Sequence, residues 1–369
     1  MRLFENLPPR PDGRPHYFDA AATTPVDPRV AELVMHYMVQ EFGNAGSRHS
    51  YGSEALKAVN KAREQVAGVI GLDDPTGVIF TSGATESNNL AILGLTQHGQ
   101  ETSRKHIISS AIEHKAVLEP LKEMERRGFE VTLVKPQLNG CVDAAEVLAA
   151  LRPDTLLVSI MHVNNELGTI QPLEAIAEGL RSSQAFFHTD AAQGFTKELK
   201  LLNHPRIDMI SMSGHKIGAP KGIGALLMRR RRYKLPPLSP IIFGGGQERG
   251  LRSGTQAVPL IAGLGLACEL RVKEHDQWLQ RIQKWRAQVI PRLEHAGYVF
   301  TVDQTNCLPS LISAQHVSLN AEACVLQEKD LVVFSTGSAC ISLRTEPNHV
   351  VCSLGLDEKN IIRISFYFL

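Results

Sequence analysis

The sequence predicts an α/β fold: a large domain on a mainly parallel seven-stranded sheet covered by helices, plus a smaller α+β domain. Three observations predict it. Between residues 77 and 228, short β-branched runs alternate with longer stretches whose apolar residues recur near a 3.6 period. Those short runs are almost wholly apolar, as strands are when helices bury both faces of a sheet. Past the glycine-rich GGGQERG at 244–250, the alternation gives way to one long helical stretch and several shorter strands.

Taken in order, the strands expected in the first part are 77–81, 105–110, 129–134, 155–161, 185–190, 206–212 and 223–228. Helical segments at 85–97, 115–127, 143–151 and 172–183 separate most of them, an order that places helices on both faces of the sheet. A helical stretch then runs from about 258 into the 290s and carries both Trp278 and Trp285. Strands at 298–301, 308–317, 331–335 and 361–368 follow, with a helix near 322–327 among them. The expected division is a large domain over 16–262 and a small domain made of 1–15 and 263–369.

Composition excludes several function classes. With 39 Lys+Arg against 38 Asp+Glu, the net charge of +1 provides no field for direct nucleic-acid binding or an anionic membrane. The basic run 229–232 with Lys234 is short and reads as a solvated edge. A 43% hydrophobic share without any apolar run of the roughly 18–20 residues a bilayer needs describes a globular protein with no membrane association. The first twenty residues lack an apolar leader core, so the expected location is cytoplasmic. Six cysteines (141, 268, 307, 324, 340, 352) are too sparse for a disulfide framework, and none forms the Cys-x-x-Cys pair of a zinc knuckle. No metal site is expected. The sequence contains neither a P-loop nor a Gly-x-Ser-x-Gly elbow.

In a doubly wound sheet, ligands sit beyond the carboxyl ends of the strands. Ser82-Gly83-Ala84-Thr85 follows the first expected strand and opens a helix whose free amides suit a phosphate. Glu113-His114 follows the second, and Asn164-Asn165-Glu166 comes after the run at 155–161. Asp190-Ala191-Ala192-Gln193 and Ser213-Gly214-His215-Lys216 follow two more. Singly, each has an ordinary reading as a helix cap, a satisfied histidine or a solvated lysine. Jointly they bring an anion site, an imidazole, an amide, a carboxylate and an amine to one edge. That set fits pyridoxal 5′-phosphate: Lys216 for its aldehyde, Asp190 for its ring nitrogen and Thr85 for its phosphate. His114 suits a plate over the ring, and Asn165 and Gln193 suit its hydroxyl.

These segments resemble the cysteine desulfurases of the NifS/IscS kind, fold-type I enzymes that are aminotransferase class V-like. The likeness rests on FDAAATTPVDPRV (18–30), FGNAGSRHSYG (42–52), VIFTSGATESNNLAI (78–92), EHKAVL (113–118) and SIMHVNNELG (159–168). It continues through HTDAAQ (188–193), SGHKIGAPKGIGAL (213–226), GGGQERGLRSGT (244–255) and STGSACISLRTEPNHV (335–350). The resemblance implies that Lys216 binds the cofactor covalently, that Asp190 faces its ring nitrogen and that His114 stacks on the ring and moves protons. It implies that Ala84, Thr85, Ser213 and His215 hold the phosphate, that Asn165 and Gln193 hold the ring, and that Thr255 reaches the phosphate of a neighbouring subunit in a homodimer. Arg363, in IIRIS, matches the arginine that grips the substrate carboxylate, with Asn165 beside it.

Cys340, in Ser338-Ala339-Cys340, matches the thiol that takes sulfur from L-cysteine as a persulfide and leaves L-alanine. The stretch between Cys340 and Leu354 resembles the mobile-loop group, in which a loop at about 335–354 passes sulfur to an acceptor protein. The family's motif departs here at Thr336 and Ile341. The sulfur then serves iron–sulfur cluster assembly, tRNA thiolation or DNA phosphorothioation. Two alternatives stay open on the residues alone. One is a selenocysteine lyase or other β-eliminating lyase that dispenses with Cys340, and the other is a non-catalytic binding protein on the same fold.

Overall fold

The computed structural model describes residues 2–231, 233–336 and 347–367. It opens with β1 (His16–Tyr17), α1 (Pro28–Val39) and α2 (Ser50–Gly68). The Asp27 carboxylate accepts from the Arg29 amide and caps α1, whose first residue is a proline with no amide to leave unpaired. In α2 the buried residues Ala55, Ala58, Val59, Ala62 and Val66 recur every three or four positions and form one face.

The large sheet then forms from β2 (Val78–Thr81), β3 (His106–Ser110), β4 (Glu130–Val134), β5 (Thr155–Ser159), β6 (Phe186–Asp190), β7 (Met209–Ser213) and β8 (Gly224–Met228). Interleaved are α3 (Ala84–Leu93), α4 (Thr96–Glu101), α5 (Lys115–Arg126), α6 (Ala144–Ala149) and α7 (Leu173–Gly179). All seven expected strands are present. Their order is β2-β8-β7-β6-β5-β3-β4, parallel except that β8 runs antiparallel to both its neighbours. Because β8 is reversed, the carboxyl ends of β2 and β7 meet at its first residue: Thr81 and Ser213 both register with Gly224. The ends of β3, β5 and β6 share that edge.

The expected long helix divides at Glu274 into α8 (Val258–Lys273) and α9 (His275–His295). The expected division between 262 and 263 falls inside α8. Leu264, Ala267 and Cys268 belong to the same core as Val30, Val34, Val59 and Ala62. Glycines allow the close approach: a Cβ on Gly265 would stand 2.6 Å from Ala62 Cα, and one on Gly263 2.6 Å from Val34 Cγ2. Near the expected division at 16, Phe18 packs with the second core and β1 pairs with a later strand.

That second core lies under β9 (Tyr298–Phe300), β10 (Leu311–His316), α10 (Ala321–Glu328), β11 (Val332–Val333), β12 (Ser335–Thr336) and β13 (Ile361–Ser365), while α11 (His349–Ser353) packs through Val350 in a separate small cluster with Ile112 and Met161. Its four-stranded sheet has the order β12-β13-β10-β9. Ile362 and Ile364 point into the core with Trp278, Ile312 and Phe334, so Arg363 and Ser365 face the other way. That other way is the large sheet's edge. Phe18 donates nothing to it by charge but meets Phe366 and Trp285 edge-on at 5.0 Å each, closing the junction.

A strap over residues 18–27 ties the two cores. Ser365 donates its amide to the Phe18 carbonyl at 2.8 Å, and its hydroxyl accepts from the Ala21 amide at 2.8 Å. Thr24 donates both amide and hydroxyl to the His215 carbonyl at 2.9 Å, and its hydroxyl accepts from the Gly218 amide. Gly265→Val should drive a side chain into Ala62 and lower stability by about 1–3 kcal/mol. Thermal denaturation checks this, and an unchanged melting temperature would contradict the helix packing.

Candidate active site

Between the large sheet's edge and β13 lies a cavity of about 610 Å³. Ala84, Thr85, His114, Asn165, Asp190, Gln193, Ser213, His215, Lys216 and Arg363 all line it. Residues from five strand ends and from the small sheet are thus brought to one space. Thr255 is exposed and does not line it. Cys340 lies outside the described residues.

The anion end is built by backbone. Gly83 stands at φ 155°, ψ 180°, a conformation that only glycine adopts readily, and α3 starts after it without a side-chain cap. Its first amides are therefore left for a ligand, with Ser82 to Thr85 on the cavity wall. The Ser213 hydroxyl stands 3.6 Å from where a Cβ on Gly83 would be. His215 bonds the Thr23 hydroxyl at 3.0 Å, and burial with the nearby Lys216 charge lowers its pKa to about 4, leaving a neutral ring. Arg252 pairs with Glu86 in the first turn of α3 at 2.9 Å and draws the 250s segment alongside.

Asp190 ends β6 and is almost fully buried. Its oxygens accept from Asn88 Nδ2 at 2.7 Å and from the Ala192 amide at 2.9 Å, which keeps a carboxylate satisfied away from water. Two residues earlier on the same face, His188 bridges the Ser159 and Ser211 hydroxyls across three strands. Burial alone lowers that ring's pKa to about 3, so it supports Asp190's neighbourhood as a neutral polar brace. Lys216 donates to the Ala21 carbonyl and, at 2.8 Å, to the Ala22 carbonyl, and Gln193 Nε2 reaches the Ala21 carbonyl at 2.8 Å. The strap therefore positions both side chains.

His114 is the N-cap of α5, and its Nδ1 accepts from the Ala116 amide at 3.0 Å. Burial, partly opposed by Asp190 and reinforced by Lys216, lowers its pKa. The neutral ring so produced carries its proton on Nε2. Arg363 is buried and bonds Glu166 Oε1 at 2.9 Å, the Asn165 carbonyl at 3.2 Å and Asp19 Oδ1 at 3.3 Å.

Several residues here carried no role in the sequence reading. Glu113 is wholly buried; its Oε1 accepts from the Ser110 hydroxyl and the Met161 amide, each at 2.7 Å. Its carbonyl accepts from His349 Nε2 at 2.8 Å, joining α11 to the His114 turn. Lys197 is buried, and burial with the Lys216 charge lowers its ammonium to about 7. Glu248, at φ 48°, takes both ends of the Arg63 guanidinium at 3.0 Å and the Phe80 amide at 2.9 Å, sealing the edge of β2. Of the other cysteines, Cys141, Cys268 and Cys307 are buried, with burial raising each thiol's pKa. Cys324 is half-buried, and Cys352 is exposed. Among the described residues no acid–histidine–cysteine cluster suits a metal ion, and no helix is long and apolar enough to cross a membrane.

Pyridoxal 5′-phosphate fits this arrangement. The cavity has room for the coenzyme and an amino acid, its uncapped helix end suits the phosphate, and Asp190 offers a desolvated carboxylate to a ring nitrogen. Comparison with known proteins agrees. The family model for aminotransferase class-V matches residues 16–369. Cysteine desulfurase IscS of Pectobacterium carotovorum is 44% identical over 350 residues, covering 94% of this chain and 85% of that protein. The crystal structure of DndA from Streptomyces lividans superposes with a TM-score of 0.83 at 48% identity, covering 95% and 99% of the two chains. SspA in complex with cysteine superposes at 0.82 with 38% identity, covering 96% and 100%.

Glu113 gives a pH test. Burial, with Asp190 adding to it, raises its carboxyl to about 8 against hydrogen bonds from Ser110 and Met161 that pull the other way. From pH 4.5 to 8 the unfolded chain releases this proton while the fold keeps it, so this group's contribution to stability falls as pH rises. Glu113→Gln, neutral throughout, should gain on the native protein by on the order of 3 kcal/mol between pH 5 and pH 8. Denaturation curves at the two pH values check it, and a difference independent of pH would contradict a protonated Glu113.

Proposed function

We propose residue roles for a chain that belongs to the aminotransferase class-V family and is a pyridoxal-phosphate-dependent cysteine desulfurase, with L-cysteine as its substrate. The reading is that Lys216 carries the coenzyme, Asp190 faces its ring nitrogen, and Cys340 receives the sulfur as a persulfide. The observation that carries it is the convergence of Lys216, Asp190, His114 and Arg363 on one cavity from separate parts of the chain. When bound, the coenzyme holds the amino acid and spreads the electron pair left at its Cα over the ring.

The remaining steps belong to side chains. Arg363 orients the substrate by its carboxylate, with the Asn165 side chain on the same wall. Lys216, once exchanged for the substrate amine, is the base that moves the Cα proton. His114, exposed on the cavity wall and neutral, moves protons in this reading, taking one from the reacting thiols as its Nδ1 gives up the Ala116 amide, so that Cys340 attacks the substrate sulfur as a thiolate. The Sγ–Cβ bond of L-cysteine breaks as the S–S bond on Cys340 forms, and the carbon skeleton leaves as L-alanine. Ala84, Thr85, Ser213 and His215 take the phosphate, and Gln193 and Asn165 the ring substituent.

The reading includes a homodimer in which Thr255 reaches the partner's phosphate. Its exposure beside the α3 end supports this, as does the outer side of α1 with the segment after it. Met35, Met38 and Val39 follow a helical spacing there and continue into Phe42, all more than half exposed. An acceptor protein then takes the sulfur for cluster assembly, tRNA thiolation or DNA phosphorothioation. Free cysteines among the described residues support a reducing, cytoplasmic setting. The relatives' names do not favour a selenocysteine lyase.

Cys340→Ser should lose persulfide formation from L-cysteine by at least about a hundredfold, while its coenzyme absorbance stays native. Alkylation mapping and alanine release measure this. Native persulfide yield in the variant would remove Cys340 from the reaction.

A further inference from the structure

Arg363 is held from behind. Both hydrogens of its NH1 are engaged, one by Glu166 Oε1 at 2.9 Å and one by the Asn165 carbonyl at 3.2 Å. NH2 reaches Asp19 Oδ1 at 3.3 Å. Arg363 and Asn165 line the cavity, whereas Glu166 and Asp19 do not. The same Glu166 Oε1 also accepts from Asn165 Nδ2 at 2.7 Å. One buried carboxylate oxygen thus joins the two side chains that face the substrate carboxylate.

Glu166 is itself fixed. The Asn164 side chain accepts from the amides of Glu166 and Leu167 at 2.9 and 3.0 Å and donates to the Ile112 carbonyl at 3.0 Å. Asn164 is fully buried and Glu166 nearly so. This short turn is anchored to the large sheet through Ile112, while Arg363 comes from β13 in the other core. A guanidinium buried at 2% exposure needs a countercharge, and removing one partner of such a pair leaves a charge uncompensated.

We infer that Glu166 is a positioning residue for substrate recognition: it fixes Arg363 and Asn165 relative to one another, so that their cavity-facing donors meet the carboxylate of the incoming amino acid already aligned. This rests on the reading of Arg363 as the carboxylate clamp. It adds that the clamp is assembled from both cores, with Glu166 on the large sheet's side and Asp19 on the strap. The consequence is selective. A ligand with a carboxylate gains from Glu166, and a ligand without one does not.

The test uses the holoenzyme and coenzyme absorbance as the readout of binding. L-alanine probes the carboxylate, and cysteamine is the amine that lacks it. Glu166→Gln should raise the L-alanine dissociation constant and the KM for L-cysteine roughly tenfold. Cysteamine affinity, coenzyme retention and kcat should each stay within about twofold of native. Added to Arg363→Gln, the Glu166 change should cost clearly less than it does alone, since part of its effect passes through that side chain and the rest through Asn165. Unchanged or tighter L-alanine binding in Glu166→Gln would overturn the inference, as would an equal loss for cysteamine. If Arg363→Gln alone binds L-alanine normally, the clamp reading fails instead. Should Glu166→Gln not fold, Asp19→Asn removes the other carboxylate from the same guanidinium and must show the same split between L-alanine and cysteamine.

Discussion

A carboxylate held out of water at the end of β6 is the constraint around which the site is arranged. Asp190 is 5% exposed, and a group so placed is tolerable only with hydrogen bonds to replace its hydration. Asn88 from α3 and the Ala192 amide provide them. The consequences spread along the strands. Asn88 is on the helix whose first turn opens on the cavity, so its bond to Asp190 also fixes the distance between that carboxylate and the helix end. On either side of β6 the polar residues Ser159, His188 and Ser211 satisfy one another, and their burial keeps the sheet's end rigid without adding charge.

The second constraint is mechanical. A cavity between two cores has a defined shape only if the cores are joined, and the strap at 18–27 joins them through main-chain bonds. It runs beside β13, where Arg363 and Ser365 share a face, and then along the turn that carries His215 and Lys216. Lys216 donates to two carbonyls of this strap, which ties its position to backbone geometry. Relative movement of the cores would therefore disturb amine and guanidinium together.

Much of this was legible in one dimension. The seven strands of the large sheet are short, apolar and separated by helical periods, and those features survive without tertiary information. Asp190, His114 and Lys216 were legible because each follows a strand, where a parallel sheet places its ligands. α1 and α2 were not anticipated; the buried face of α2 is largely alanine, which carries little periodic signal. The close packing of α8 was hidden for a related reason, since the glycines that let it press on α2 look like helix weakeners in sequence. Glu113, Glu166 and Glu248 were overlooked because a buried acid and a solvated one read alike until their partners, 48 to 197 residues away, are brought beside them. Cys340 was singled out only through its motif, and it lies outside the described residues.

The central claim is that Asp190, Lys216 and Arg363 address one bound coenzyme and one amino acid together. A crystal structure of the holoenzyme with L-alanine tests it most directly. The expected map shows the ring nitrogen within hydrogen-bonding distance of Asp190, Lys216 Nζ beside the ring's reactive carbon, the phosphate on the first turn of α3 and the alanine carboxylate on Arg363. Density for the ring away from Asp190, or an alanine carboxylate turned from Arg363, would contradict it.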